Sequence, residues 1–155
     1  MRISPFIFAF VALSLPAFSQ TGGKSEIFSA AQIRQQLATL GTQAAASGSA
    51  GQVLADYGSH KVQISVRTTS GGAEIHAHFD DVMIVQQGTA TLITGGTVID
   101  SKTGPDGETK GTGIQGGKSQ TISVGDLVTV NAGVPHQIIV ASGTTYSAVV
   151  VKVKE

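Results

Sequence analysis

Three of the four histidines, His76, His78 and His136, are spaced in a way that suits a metal centre. His76 and His78 are separated by one residue in the segment 73–79, which follows the Gly71-Gly72 turn signal. On a strand, alternation puts both imidazoles on one face, about 7 Å apart along the backbone, with Glu74 beside them. Two imidazoles on one face grip a cation from one side, and a third ligand must come from another strand. His136 is placed to supply it, after Gly133-Val134-Pro135, a turn that opens a new apolar run. A lone histidine on an apolar face is most often structural, but this threefold arrangement is not a packing pattern. Asp81 reads as a further ligand or as a carboxylate that caps a turn. Glu74 reads as an extra ligand, a general base or a rim carboxylate.

These residues need strands to position them, and the pattern supplies strands. Residues 60–67 alternate strictly, with Val62, Ile64 and Val66 on one face and Lys61, Gln63, Ser65 and Arg67 on the other. The apolar face is expected inside, carrying His60 with it as a proton shuttle at the pocket mouth or a satisfied edge residue. Short apolar runs follow to residue 153, punctuated by Gly88, Gly95-Gly96, Gly125-Asp126 and Ser142-Gly143. With no helical pattern between them, these strands imply antiparallel pairing in a sandwich or barrel. Residues 101–118, rich in Gly, Lys and Thr, read as a long exposed loop or loose hairpin. Lys152-Val153-Lys154 reads as a charged edge strand. One helix is expected over 29–46, opened by a Ser29–Gln32 capping box and packing Ile33, Leu37, Leu40 and Ala44 on the outside of the main domain. Tyr57 and Tyr146 could each offer a pocket hydroxyl or simply pack.

The two histidine-bearing stretches resemble the paired motifs of the cupins. The first cupin motif, G-x5-H-x-H-x3/4-E-x6-G, is matched by GGAEIHAHFDDVMIVQQG (71–88). The second, G-x5-P-x-G-x2-H-x3-N, is matched by GDLVTVNAGVPHQIIV (125–140), with Asn131 in the proline position and Val140 in that of the asparagine. The resemblance implies an all-β double-stranded β-helix, or jelly-roll barrel, with the helix outside. It also implies one divalent transition metal (iron, manganese, zinc, nickel or copper) on His76, His78, Asp81 and His136. Asp81 replaces glutamate and follows His78 after two residues rather than three or four, so it ligates directly, through water, or from behind another ligand.

Composition agrees with one domain and sets limits on partners. The 155 residues are 41% hydrophobic and 13% charged, with 20 glycines and no cysteine, which excludes disulfide and thiolate chemistry. Formal charge is zero with no basic cluster, which argues against nucleic acid or an anionic membrane as partner. Arg2, an apolar run through Leu15, Pro16 and the small residues Ala17 and Ser19 form an export signal, residues 1–19, too short to span a bilayer of about 20 residues. Cleavage there leaves residues 20–52 as leader and helix and 53–155 as the cupin domain, in a periplasmic or secreted protein. Its expected role is a metal-dependent enzyme on a small molecule (dioxygenase, isomerase or lyase), with His60, Glu74 and Asp81 as proton-transfer groups. The alternative is a non-catalytic module that binds a small ligand or metal in a barrel lined by Val62, Ile64, Met83, Val85 and Ile138. A homodimer is expected by resemblance.

Overall fold

Helix α1 runs Ala30–Ser47 and begins as its sequence dictates. Ser29 accepts from the Gln32 backbone N–H while the Gln32 side chain accepts from that of Ser29. Gly48 ends it in the left-handed region, at φ 84°. This computed structural model describes residues 25–155; the expected signal segment 1–19 lies outside the described residues.

The strands are β1 (Ser49–Asp56), β2 (His60–Arg67), β3 (Ala73–Ile75), β4 (Phe79–Gln87), β5 (Thr89–Thr94), β6 (Thr97–Ile99) and β7 (Lys102–Thr103). They continue as β8 (Thr109–Gly111), β9 (Gly113–Gln115), β10 (Lys118–Ser123), β11 (Leu127–Val130), β12 (His136–Ile139) and β13 (Tyr146–Lys154). A five-stranded antiparallel sheet, β1-β2-β13-β4-β11, faces a six-stranded one, β10-β5-β12-β3-β8-β7, and β6 pairs with β9. Met83, Val85, Ala148 and Val150 from the first sheet meet Ala90, Leu92 and Ile122 from the second in one core. The architecture is the expected all-β double-stranded β-helix with one helix packed outside.

The faces of β2 are reversed from the expectation. Ile64 and Val66 are buried under α1, against Leu37, Leu40 and Ala44, on the outside of the sheet. Gln63, Ser65 and Arg67 line the barrel cavity instead. An apolar strand face needs burial, and the helix provides it as well as the barrel would. The cavity wall is accordingly more polar than the Val62–Ile64 lining expected from alternation.

Two further expectations are settled, the first in favour of the hairpin and the second as a correction. Within residues 101–118, β7 and β8 pair as an antiparallel hairpin, and β8 also pairs with β3 in the site-bearing sheet, so the segment is not a free loop. Lys152 is not on an edge: β13 lies between β2 and β4, opposite Lys61 and Asp81, and the Lys152 side chain is only 19% exposed. Tyr146, Ala148, Val150 and Lys152 face the cavity together.

Candidate metal centre

β3 brings Glu74 to the cavity and ends at Ile75, so His76 follows in a bend. The His76 carbonyl accepts from Gly133 N–H at 2.8 Å, which ties this bend to the turn before β12. Asp80 fastens the same turn by accepting from Ala132 N–H at 2.7 Å. The carboxylate that caps a turn here is therefore Asp80, while Asp81 points inward with Met83. His136 opens β12 directly opposite Glu74.

These elements converge. Glu74, His76 and His136 each offer a ligand atom within 4.8 Å of the others, a spacing that could hold a metal ion. Asp81 Oδ2 borders them, 3.3 Å from His76 Nε2 and 3.8 Å from His136 Nε2. His76, His136 and Asp81 are all buried, and the imidazole centroids are 4.9 Å apart.

Both histidines are anchored from behind. His136 Nδ1 lies 3.1 Å from the Val134 carbonyl, which can only accept, so Nδ1 carries the proton. His76 Nδ1 bonds the Glu108 carboxylate. In each ring the neutral form then turns its Nε2 lone pair toward the shared space, the tautomer that metal-ligating histidines adopt. Glu108 had no signal in the cupin motifs. It arrives because the 104–108 turn folds over residues 77–78, where a Cβ at Gly107 (φ 79°) would come within 2.8 Å of Ala77 Cβ.

A cation already sits on this cluster. Lys152 Nζ donates to His76 Nε2 at 2.8 Å and to Asp81 Oδ1 at 2.6 Å. Burial disfavours the charged form of His76, but the neighbouring Asp81 and Glu108 carboxylates outweigh it and raise the pKa. Burial also disfavours the Asp81 carboxylate, yet His76 and Lys152 hold its pKa below the usual value. Burial, helped by the charge on His76, pushes the His136 pKa down, so this ring favours the neutral, ligating form. The donor set of two imidazoles and two carboxylates fits a divalent transition metal.

Two sequence-predicted residues are not brought to the cluster. His78 is exposed, and its ring lies beside the turn, 3.2 Å from where a Gly107 Cβ would stand. Alternation fails because residues 76–78 form the bend between β3 and β4, so no ladder imposes a face on them. His60 lies at the outer end of β2, stacked on Tyr57 at 4.8 Å and bonded to Ser59 Oγ at 3.0 Å. It shares the strand face of Ile64, away from the cavity.

No family model and no curated protein matches the sequence. Solved structures do match the fold. The DMSP lyase DddQ of Ruegeria pomeroyi is 14% identical, aligned over 69% of this chain and 47% of its own, with a TM-score of 0.50. A cupin-2 domain protein of Rhodospirillum rubrum is 14% identical over 70% of this chain and 61% of its own, with a TM-score of 0.51. A Klebsiella pneumoniae protein with a double-stranded β-helix domain is 15% identical over 68% of this chain and 76% of its own, at 0.51. The chain thus spans about half the length of the lyase. Its fold is the cupin fold.

Proposed function

We propose that the protein is an exported metalloenzyme of cupin fold acting on a small molecule in the barrel. The carrying observation is the pair of buried histidines whose Nδ1 atoms are tied by Glu108 and Val134, leaving both Nε2 lone pairs beside Glu74 and Asp81. Glu74, His76 and His136 would hold the metal, with Asp81 as a further ligand or a fixed charge beside it. A divalent ion held there would supply Lewis acidity or redox chemistry toward a bound molecule. Were Asp81 the carboxylate on the ion instead, Glu74, half-buried at the cavity and without a fixed partner as close as those of Asp81, would be the group placed to take a proton. Asp81, held ionised by Lys152 and His76, is a structural charge rather than a general acid.

A DMSP lyase among the fold neighbours is in keeping with catalysis, though one fold hosts many reactions. Lys152 on His76 and Asp81 favours a second reading, in which the barrel binds a ligand without metal. Metal analysis of protein purified from its native compartment, beside His76→Ala and His136→Ala, separates the two. Near-stoichiometric metal that both substitutions abolish is expected. Metal-free protein that takes up no added divalent ion would leave only the binding module.

A further inference from the structure

The cavity extends beyond the histidine cluster to a second polar end. Tyr146 and Arg67 are directly paired across β13 and β2, and both line the same cavity as Asp81 and His136. Ala148 opposite Ser65 and Val150 opposite Gln63 separate this end from Lys152. Tyr146 is 2% exposed, and its hydroxyl is buried without a hydrogen-bond partner. A buried donor left unpaired is unfavourable unless something else completes it.

Arg67 beside it is half-buried. Among the described residues it enters no ion pair, while Lys61 and Lys152 each have a carboxylate. Its guanidinium lies over Gly71, where a Cβ would come within 2.7 Å of Nη1. That stretch of backbone is fixed, because Gly71 N–H donates to Ile138 O at 2.9 Å and Gly71 O accepts from Gln137 Nε2 at 2.8 Å. The Tyr146 pKa is pushed up to about 12 by burial, so the phenol stays a donor at neutral pH. A planar cationic fork beside a buried hydroxyl is the donor set that a carboxylate satisfies. The cavity holds about 100 Å³, well under the roughly 300 Å³ at which sites for drug-sized ligands begin, so the ligand is small.

We propose that the Arg67–Tyr146 end of the cavity is an anion subsite that takes the carboxylate of a small organic acid and directs the rest of the molecule toward the histidine cluster. This deepens the reading of the barrel interior as a small-molecule site and rests on it, but it does not require the metal.

Calorimetric titration of the purified protein with propionate, malonate, propionamide and inorganic phosphate, before and after chelator treatment, tests it. Both carboxylates should bind in either state, and the amide should not. Arg67→Met should weaken carboxylate binding about tenfold or more, Arg67→Lys less, with metal content unchanged in both. Tyr146→Phe should weaken it several-fold without lowering the ligand-free melting temperature, because it removes an unpaired hydroxyl and keeps the ring. Absence of metal in every sample would count against the metalloenzyme alone. Equal binding of the amide, binding of phosphate with none of the carboxylates, no binding at all, or carboxylate binding that vanishes with the metal and ignores Arg67→Met would overturn the subsite.

Discussion

Glu108 shows how one carboxylate outside any motif can decide what a histidine does. By holding His76 Nδ1 it fixes which nitrogen faces the cluster, and it raises the electron density that Nε2 offers a cation. Glu108→Gln keeps an acceptor but removes the charge, and metal affinity should fall about 10- to 100-fold while His78→Ala leaves it unchanged. Isothermal titration with zinc or manganese compares the two, and an effect of His78→Ala as large as that of His136→Ala would return His78 to the ligand set. Tyr146 makes a separate prediction. Its folded-state pKa of about 12 lies above the ordinary value of 10.0. Above pH 10 the unfolded chain therefore releases a proton that the native state keeps, and stability is lost as pH rises from about 10 toward 12. The loss should be roughly 2 kcal/mol, and Tyr146→Phe should remove that part of the alkaline slope in urea unfolding.

At the scale of elements, the sequence is most legible where pattern and ladder coincide. The α1 capping box, the strict alternation of β2, the Gly133–Pro135 turn and the convergence of residues 76 and 136 could all be read from residue types and spacing. What could not be read is which side of an alternating strand is inside. Ile64 and Val66 demand burial, but α1 and the barrel core satisfy that demand equally, so periodicity fixes two faces without naming them. The same ambiguity misplaced His60 and hid Arg67 in the cavity wall. His78 was misread because period-two logic holds only within a ladder, and β3 stops one residue before His76. Glu108 and Lys152 come from distant chain segments, where no local spacing points to a shared centre. The reversed face yields a sharp expectation. Leu40→Ala, in the cluster that covers Ile64 and Val66, should cost about 2–4 kcal/mol in chemical denaturation yet leave ligand and metal affinities intact. Loss of affinity in the folded variant would show that α1 shapes the cavity after all.

Across the whole molecule, the two sheets enclose a cavity with opposite ends of different character, and Lys152 is the element that ties its charge balance together. Its ammonium neutralises Asp81 and satisfies the His76 lone pair, so the buried carboxylate has a counter-charge from within the chain. A divalent ion on the same atoms must displace this internal cation, and the flexible four-carbon stem of lysine permits that withdrawal. Lys152→Met keeps the stem and removes the charge. Without metal the variant should be less stable by roughly 1–3 kcal/mol, since Asp81 loses its closest partner. Its metal affinity should rise about tenfold or more, because no ammonium competes for His76 Nε2 and Asp81 Oδ1. Saturating metal should then stabilise the variant more than the parent, by a margin that follows from the two affinities through mass action. Thermal melts of both proteins with and without excess divalent ion measure that margin. Weaker metal binding by Lys152→Met would mean that Lys152 holds the cluster open for the ion instead of standing in its place.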